Sequence, residues 1–244
     1  MGRKGVLSLC LLLSFAVSGF AQERPGLPRA LEPVRLQLKW SHQFQFAGYY
    51  AAIARGFYAD AGFDVTLLEG RSDRSPRNVV LAGEAEYGVA GSELLLGYLE
   101  GEPLVVLASI FQHSSYALLT LASSGIREPA DLAGRRIMLR DGVPSTEIFA
   151  MLQRAGVGID RFELVPHTFR HEDLLEGKID AMSVYLTDQP FFEGVADSET
   201  TLLRPVAFGV DFYGDSLFTT QNMLEYQRER VEAFRAASLK GWRY

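Results

Sequence analysis

Residues Leu36 to Gly70 constrain this chain more than any other stretch. They read as a strand from Leu36 to Trp40, a polar and aromatic turn, a helix near 46–61 closed by Gly62, and a strand from Val65 to Glu69. Apolar residues in short runs bounded by Gly mark the strands, and an Ala- and Tyr-rich run marks the helix. A strand that returns parallel to its predecessor through a helix is a βαβ unit, which requires a sheet covered on both faces. In open α/β sheets ligands sit at the carboxyl ends of the strands. The first such end carries Trp40, His42, Gln43, Phe44 and Gln45, a flat aromatic among amide and imidazole groups.

The alternation continues. Tyr87–Ala90 and Leu104–Ser109 read as strands, with helices near 76–83 and 92–100 between them. Ser115–Leu121 reads as an extended crossover into a second lobe. There Arg136–Leu139, Glu163–Val165, Asp180–Tyr185 and Leu202–Phe208 read as strands, and Ser145–Ala155 and Glu172–Glu176 as helices, the former stopped by Gly156. Leu203–Phe208 is the expected return crossover. Two α/β lobes joined by crossing strands make a cleft that closes by a hinge. The expected divisions are 34–118 for the first part of lobe 1, 119–205 for lobe 2 and 206–244 for the return to lobe 1. Thr220–Tyr244 reads as one helix capped by Thr220, with Val231, Phe234, Ala237 and Leu239 on its buried side.

The amino terminus has the form of a secretory signal. Arg3 and Lys4 precede an apolar run, Val6–Val17, and small residues end at Ala21, the expected cleavage point. The run is too short for a full membrane span. Residues 22–33, with Pro25, Gly26, Pro28 and Pro33, read as a linker. The one cysteine, Cys10, lies in the signal, so the mature chain has no thiol for catalysis, metal binding or a disulfide. Removing Arg3 and Lys4 from the 24 basic residues leaves 22 against 30 acids, a net of −8, which disfavours nucleic acid as a partner.

Several residues carry candidate binding chemistry. Trp40 offers a stacking face for a heteroaromatic ring. Tyr49 and Tyr50 are adjacent and point to different sides of a helix; Tyr49 is assigned to the cleft and Tyr50 to the core. Glu69 ends the second strand as an acceptor. Ser92 opens a helix, either as an N-cap alone or as a cap whose helix start also presents free N–H groups to an anion or carbonyl. Gly142-Val-Pro-Ser-Thr-Glu147 brings Pro144, Ser145 and Thr146 to the start of the second lobe's helix, a place for a phosphate, formyl or carbonyl group. Tyr185 and Asp188 follow a buried strand; Asp188 is either an acceptor for an exocyclic amine or a complement to a helix dipole. Tyr213 lies in the Asp211-Phe-Tyr-Gly-Asp215 loop. His167 and His171 have one helical metal-ligand spacing, but Pro166 and the strand before it argue against one continuous helix there and no cysteine or His-Glu motif supports a site, so no metal site is expected. No phosphate-binding Gly-Lys-Ser/Thr loop and no Gly-x-Ser-x-Gly elbow occurs.

The stretch from Leu36 to Gly70 resembles the opening of periplasmic substrate-binding proteins of the thiamine-pyrimidine type, relatives of the alkanesulfonate-binding proteins and of fungal thiamine-pyrimidine synthase. The resemblance runs on through Gly88-Val-Ala-Gly-Ser-Glu93, Gly142–Glu147, Gly177-Lys-Ile-Asp-Ala181 and Val184-Tyr-Leu-Thr-Asp188. It implies an α/β, two-lobed type II periplasmic-binding-protein fold. It implies a small-molecule ligand, a pyrimidine precursor of thiamine, bound without a cofactor. The implied partner is an inner-membrane ABC permease or a membrane-bound signalling protein. Family members usually run further, so the chain is expected to be a piece of a longer protein. The synthase implies an alternative: an enzyme that makes the pyrimidine from histidine and pyridoxal phosphate with iron. It uses a cysteine-rich motif and a lysine. The mature chain has no cysteine, and the segment after Glu69 offers Arg71, Arg74 and Arg77 but no lysine. Binding is therefore favoured over synthesis.

Overall fold

The computed structural model describes residues 30–71, 74–139, 146–187 and 199–244. The signal segment, most of the linker, and the candidates Pro144, Ser145 and Asp188 lie outside the described residues.

Two five-stranded sheets form, each covered by helices on both faces. The first runs in the order β2 (Phe63–Leu68), β1 (Glu32–Gln37), β3 (Tyr87–Ala90), β10 (Ser216–Thr220), β4 (Leu104–Ser109). The second runs β7 (Glu163–Pro166), β6 (Arg136–Leu139), β8 (Ala181–Tyr185), β5 (Tyr116–Leu121), β9 (Thr200–Leu203). The order is the same in both. In each, the fourth strand is antiparallel to its neighbours, and it is the strand on which the chain enters from the other lobe: β5 into lobe 2 and β10 back into lobe 1.

A local device is also repeated. Arg35 in β1 pairs with Glu86, just before β3, at 2.7 Å; Arg136 in β6 pairs with Asp180, just before β8, at 3.0 Å. In both, the acid also accepts from the arginine's own backbone N–H, at 2.8 Å. Arg35-Leu-Gln-Leu38 and Arg136-Ile-Met-Leu139 thus play one role in two sheets, as do Gly83-Glu-Ala-Glu86 and Gly177-Lys-Ile-Asp180.

Side chains alternate across each sheet, so each lobe has two cores. In lobe 1, Leu36, Tyr87, Val89 and Leu217 pack under α1 (Ala47–Ala54), α2 (Phe57–Asp60) and α8 (Arg228–Arg243). Phe234 of α8 lies 3.8 Å from the Tyr87 ring and 5.0 Å from that of Tyr58. Val79 and Val80 of α3 (Pro76–Leu81) and Leu94 of α4 (Glu93–Leu99) cover the opposite face with Phe218. In lobe 2, Leu118, Ile137 and Leu139 meet α5 (Thr146–Arg154), while Leu119, Met138 and Met182 meet α6 (Glu172–Leu175).

Three expectations are corrected. The return strand is not Leu203–Phe208: β9 stays in lobe 2, Pro205–Phe208 is a 3-10 turn, and β10 makes the crossing. Proline at 205 removes a ladder donor in mid-run. The helix near 46–61 is a 3-10 turn at Phe44–Phe46 followed by α1 and α2, divided at Gly56, whose φ is 73°. The last helix is likewise two: α7 (Gln221–Tyr226), capped by the Thr220 hydroxyl at 3.3 Å, and α8, with Gln227 out of helical geometry between them. Within α8, Val231, Phe234 and Ala237 are buried, Leu239 is half-buried, and Ser238 is buried instead, bonded to Tyr58 at 2.8 Å.

Candidate functional site

The first strand end, the lobe-2 strand end and the return crossover meet between the lobes. Lys39, two residues past β1, forms a salt bridge with Asp215, the residue before β10. The two side chains are only 12% and 3% exposed. Asp215 is engaged on both oxygens: Tyr185 at the end of β8 donates its hydroxyl to Oδ1 at 2.8 Å, and Gln45 donates Nε2 to Oδ2 at 2.6 Å. Gln43 in turn donates to Gln45 at 2.7 Å. The Lys39 ammonium lies 4.6 Å from the Tyr185 ring centroid and 5.3 Å from that of Tyr116, and the two rings meet edge to face at 5.0 Å. Tyr116 and Tyr185 belong to lobe 2, so a lobe-1 cation sits in a lobe-2 aromatic corner.

Burial opposes the charge on Lys39, but Asp215, with help from Tyr116, Tyr185 and Glu93, more than offsets it, and the ammonium is held well above its ordinary 10.5. Burial pushes the Tyr185 hydroxyl well above 10.0, so it remains a donor. This lysine is a fixed cation and not a free amine.

Trp40 follows Lys39 in the same turn and is half-buried. Its ring lies 5.5 Å from that of Phe169, across the lobes, and the His167 ring lies 4.5 Å from that of Phe169. Phe169 holds φ at 62°, the one non-glycine residue with positive φ among those described. Such conformations gather at ligand-holding positions. The Trp40 turn is pinned from behind. Gly70 N–H donates to Trp40 O at 2.9 Å, and a Cβ on Gly70 would fall 2.2 Å from Trp40 N, so only glycine permits this approach. Glu69 accepts from His42 N–H at 3.2 Å, which makes it a fastener of the turn.

Ser92 does not cap its helix by its side chain. Its hydroxyl instead reaches across to Glu147 Oε1 in α5, at 3.2 Å. Glu147 is 3% exposed. Thr146, beside it, is half-buried at the first position of α5.

Among the sequence candidates, Trp40, Gln43, Ser92 and Tyr185 are thus brought together, with Thr146 next to them. Tyr49 is corrected: it is buried in the lobe-1 core, edge-on to Trp242 at 5.4 Å. Tyr50, assigned to the core, is exposed and bonds His42. Phe44 and Tyr213 are 80% and 60% exposed and stand outside the network. Sequence reasoning missed Lys39 and Tyr116, and gave Gln45, Glu147 and Asp215 no role of their own although each stood in a quoted motif. A lysine ending an apolar strand and an aspartate opening one were the available signals, since neither charge is stable in a sheet core without a partner.

Burial raises the Glu147 carboxyl above its ordinary 4.5, with Ser114, Ser92 and Lys39 opposing and Glu93 reinforcing the shift. A raised acid binds its proton more tightly folded than unfolded. Its contribution to stability is complete below about pH 4.5 and is lost as pH rises through the folded value. Asp173 and Asp180, lowered from 3.8 by bonds to Thr168 and Lys178 and to Arg136, act in the opposite sense and only in more acid solution. Glu147→Gln is therefore expected to flatten the fall in stability as pH rises from about 4.5 toward neutral. Urea midpoints at intervals across that range measure it; parallel wild-type and variant curves would rule the shift out.

Comparison with known proteins agrees with this architecture. The chain is 24% identical to the formylaminopyrimidine-binding protein of Halalkalibacterium halodurans, over 98% of this chain and 74% of that protein. It is 24% identical to the riboflavin-binding protein RibY of Chloroflexus aurantiacus, over 97% of this chain and 72% of that one. Among solved structures, the periplasmic aliphatic sulphonate binding protein SsuA from Escherichia coli superposes with a TM-score of 0.69 at 15% identity, covering 86% of this chain and 72% of SsuA. The fold is that of the two-lobed periplasmic binding proteins. Residues 43–244 match the family described as NMT1/THI5 like, and the chain belongs to that family.

Proposed function

We propose that this chain is a solute-binding protein that captures a small planar nitrogen heterocycle, a pyrimidine precursor of thiamine, in the cleft between its lobes. It hands the ligand to an ABC import permease. The reading includes export, with residues 1–21 removed and the mature protein outside the inner membrane. The observation that carries it is the buried Lys39–Asp215–Tyr185 network together with the Trp40–Phe169 pair that also joins the two lobes. Groups from both lobes converge there, so a ligand that touches both stabilises the closed form. The formylaminopyrimidine- and riboflavin-binding relatives take ligands with flat nitrogen rings, which suit an aromatic mouth.

The synthase alternative is disfavoured by the same network. An imine-forming lysine must release its proton, and Asp215 holds the Lys39 proton in place. Incubation with pyridoxal phosphate, iron and oxygen is expected to yield no aminopyrimidine; stoichiometric product would overturn the binding reading.

The direct test is fluorescence, because Trp40 and Trp242 are the two tryptophans. Formylaminopyrimidine or hydroxymethylpyrimidine is expected to shift the emission. Trp40→Ala is expected to abolish that shift and to weaken binding by about tenfold or more, the loss of one stacked ring. Unchanged affinity in the variant would reduce the Trp40 turn to a structural role.

A further inference from the structure

Glu147 has a feature that the lobe contacts leave unexplained. One oxygen, Oε1, accepts from Ser92 of the other lobe, while Oε2 is sealed from solvent and makes no hydrogen bond of good geometry among the described residues, although the Ser114 hydroxyl also favours the charged carboxyl. Buried polar atoms in folded proteins are almost always satisfied, and orphans mark places where a ligand or water completes the set. The surroundings are those of the binding cleft. Ser92 and Glu93 come from the start of α4, Ser114 from the segment leading into β5, and Lys39 from the end of β1; all act on this carboxyl.

Resting on the solute-binding reading, we propose that Glu147 is the second lobe's specificity residue: Oε2 accepts an N–H of a neutral or cationic heterocycle, and the carboxyl rejects anionic ligands. The position of the residue supports both halves. It lies in the first turn of α5, a helix of nine residues, where free backbone N–H groups and the positive end of the helix dipole attract negative charge. Glu147 supplies a resident negative group at that place. An incoming sulfonate or phosphate meets a carboxyl there, whereas an amino group meets an open acceptor. Lys39 offers an anion little in compensation, because Asp215 already neutralises it. This proposal differs from the sequence expectation of a phosphate, formyl or carbonyl site at this helix start.

The test compares three probes by calorimetry on the whole chain: 4-amino-5-hydroxymethyl-2-methylpyrimidine, its 4-methoxy counterpart of similar size without the N–H groups, and ethanesulfonate. Wild type is expected to prefer the amino compound to the methoxy compound by about tenfold or more, as expected for a hydrogen bond to a charged acceptor. Glu147→Gln is expected to lose most of that preference and to bind the sulfonate no more weakly than wild type. Ser92→Ala, which removes the lobe contact but leaves Oε2 in place, is expected to weaken all probes by a common factor and keep the preference. An undiminished preference in a folded Glu147→Gln protein, or a wild type that binds sulfonate above the aminopyrimidine, would overturn the assignment and leave solute binding standing. A wild type that binds none of the heterocycles would overturn the solute-binding reading, and this one with it.

Discussion

Asp215→Asn is expected to unfold the protein about 3–5 kcal/mol more easily than wild type, the cost of leaving a buried charge without its partner. Lys39 is the charge in question, with 12% of its side chain exposed. Burial alone would drive its proton off, and the Asp215 carboxylate is the main charge that keeps it. An asparagine of the same shape removes the negative charge. It also sets an amide N–H₂ against the Gln45 and Tyr185 donors, one of which then loses its acceptor. For a domain of this size the shift in melting temperature is roughly 10 °C. Replacing both partners, as Lys39→Met with Asp215→Leu, is expected to recover much of the loss, because two apolar side chains need no desolvation. The double variant is nevertheless expected to bind no ligand, since the cation and the Tyr185 hydroxyl's acceptor have gone. The pH dependence has a definite sign. A lysine raised in the folded state contributes fully below its ordinary 10.5 and loses that contribution only as pH rises through its higher folded value. The wild-type advantage over Asp215→Asn therefore persists across neutral pH. A destabilisation below about 1 kcal/mol at pH 7 would mean that water reaches the pair and screens it.

The parts of this fold that were legible in the sequence share one property: local pattern and tertiary role agreed. Tyr87–Ala90, Leu104–Ser109 and Arg136–Leu139 were read with their observed bounds because each is an apolar run ended by a turn residue or a charge. β10 was hidden because Ser216-Leu-Phe-Thr-Thr220 is short and hydroxyl-rich, and its burial is decided by the strands on either side. The more apolar segment before it, Leu202–Phe208, drew the assignment although Pro205 forbids a full ladder. Tyr49 and Tyr50 could not be ordered from the sequence, since α1 is apolar all round and offers no polar face to fix its rotation. What fixes it is the crossing with α8, almost two hundred positions further on. The site divides in the same way. Trp40 was legible because position at a strand end is local. Lys39, Asp215 and Glu147 were not, because a buried charge is explained only by the partner that a distant segment brings.

That crossing carries the other large effect. A Cβ on Gly241 of α8 would fall 2.0 Å from Gly48 O and 2.7 Å from Ala52 N, both backbone atoms of α1. A Cβ on Gly48 would fall 2.1 Å from Trp242 Cδ2. The helices meet at the closest approach two backbones allow, and helix propensity argues the opposite way. Alanine in place of a helical glycine is worth up to about 1 kcal/mol, less in the last turn where Gly241 lies, so an isolated α8 would still welcome Gly241→Ala. The clash wins here, because the obstructing atoms are main chain and cannot rotate aside. Overpacking typically costs about 1–3 kcal/mol, and with backbone as the obstacle the net loss is expected at about 3 kcal/mol, the top of that range. Gly48→Ala meets a ring instead. Trp242 is wedged edge-on against Tyr49 at 5.4 Å and Phe111 at 5.9 Å, so its displacement passes toward the cleft, where Phe111 lies 6.5 Å from Tyr185. Gly48→Ala is therefore expected to weaken ligand binding as well as stability, and Trp242→Leu is expected to rescue part of both in the double variant. Gly241→Ala has no such rescue, because trimming the Ala52 Cβ, itself 2.7 Å away, would leave the clash with the α1 backbone in place. Urea unfolding of the four variants decides the matter. A Gly241→Ala protein as stable as wild type would show that α8 slides along α1 at little cost, and that the glycines are there for the helix path and not for its closeness.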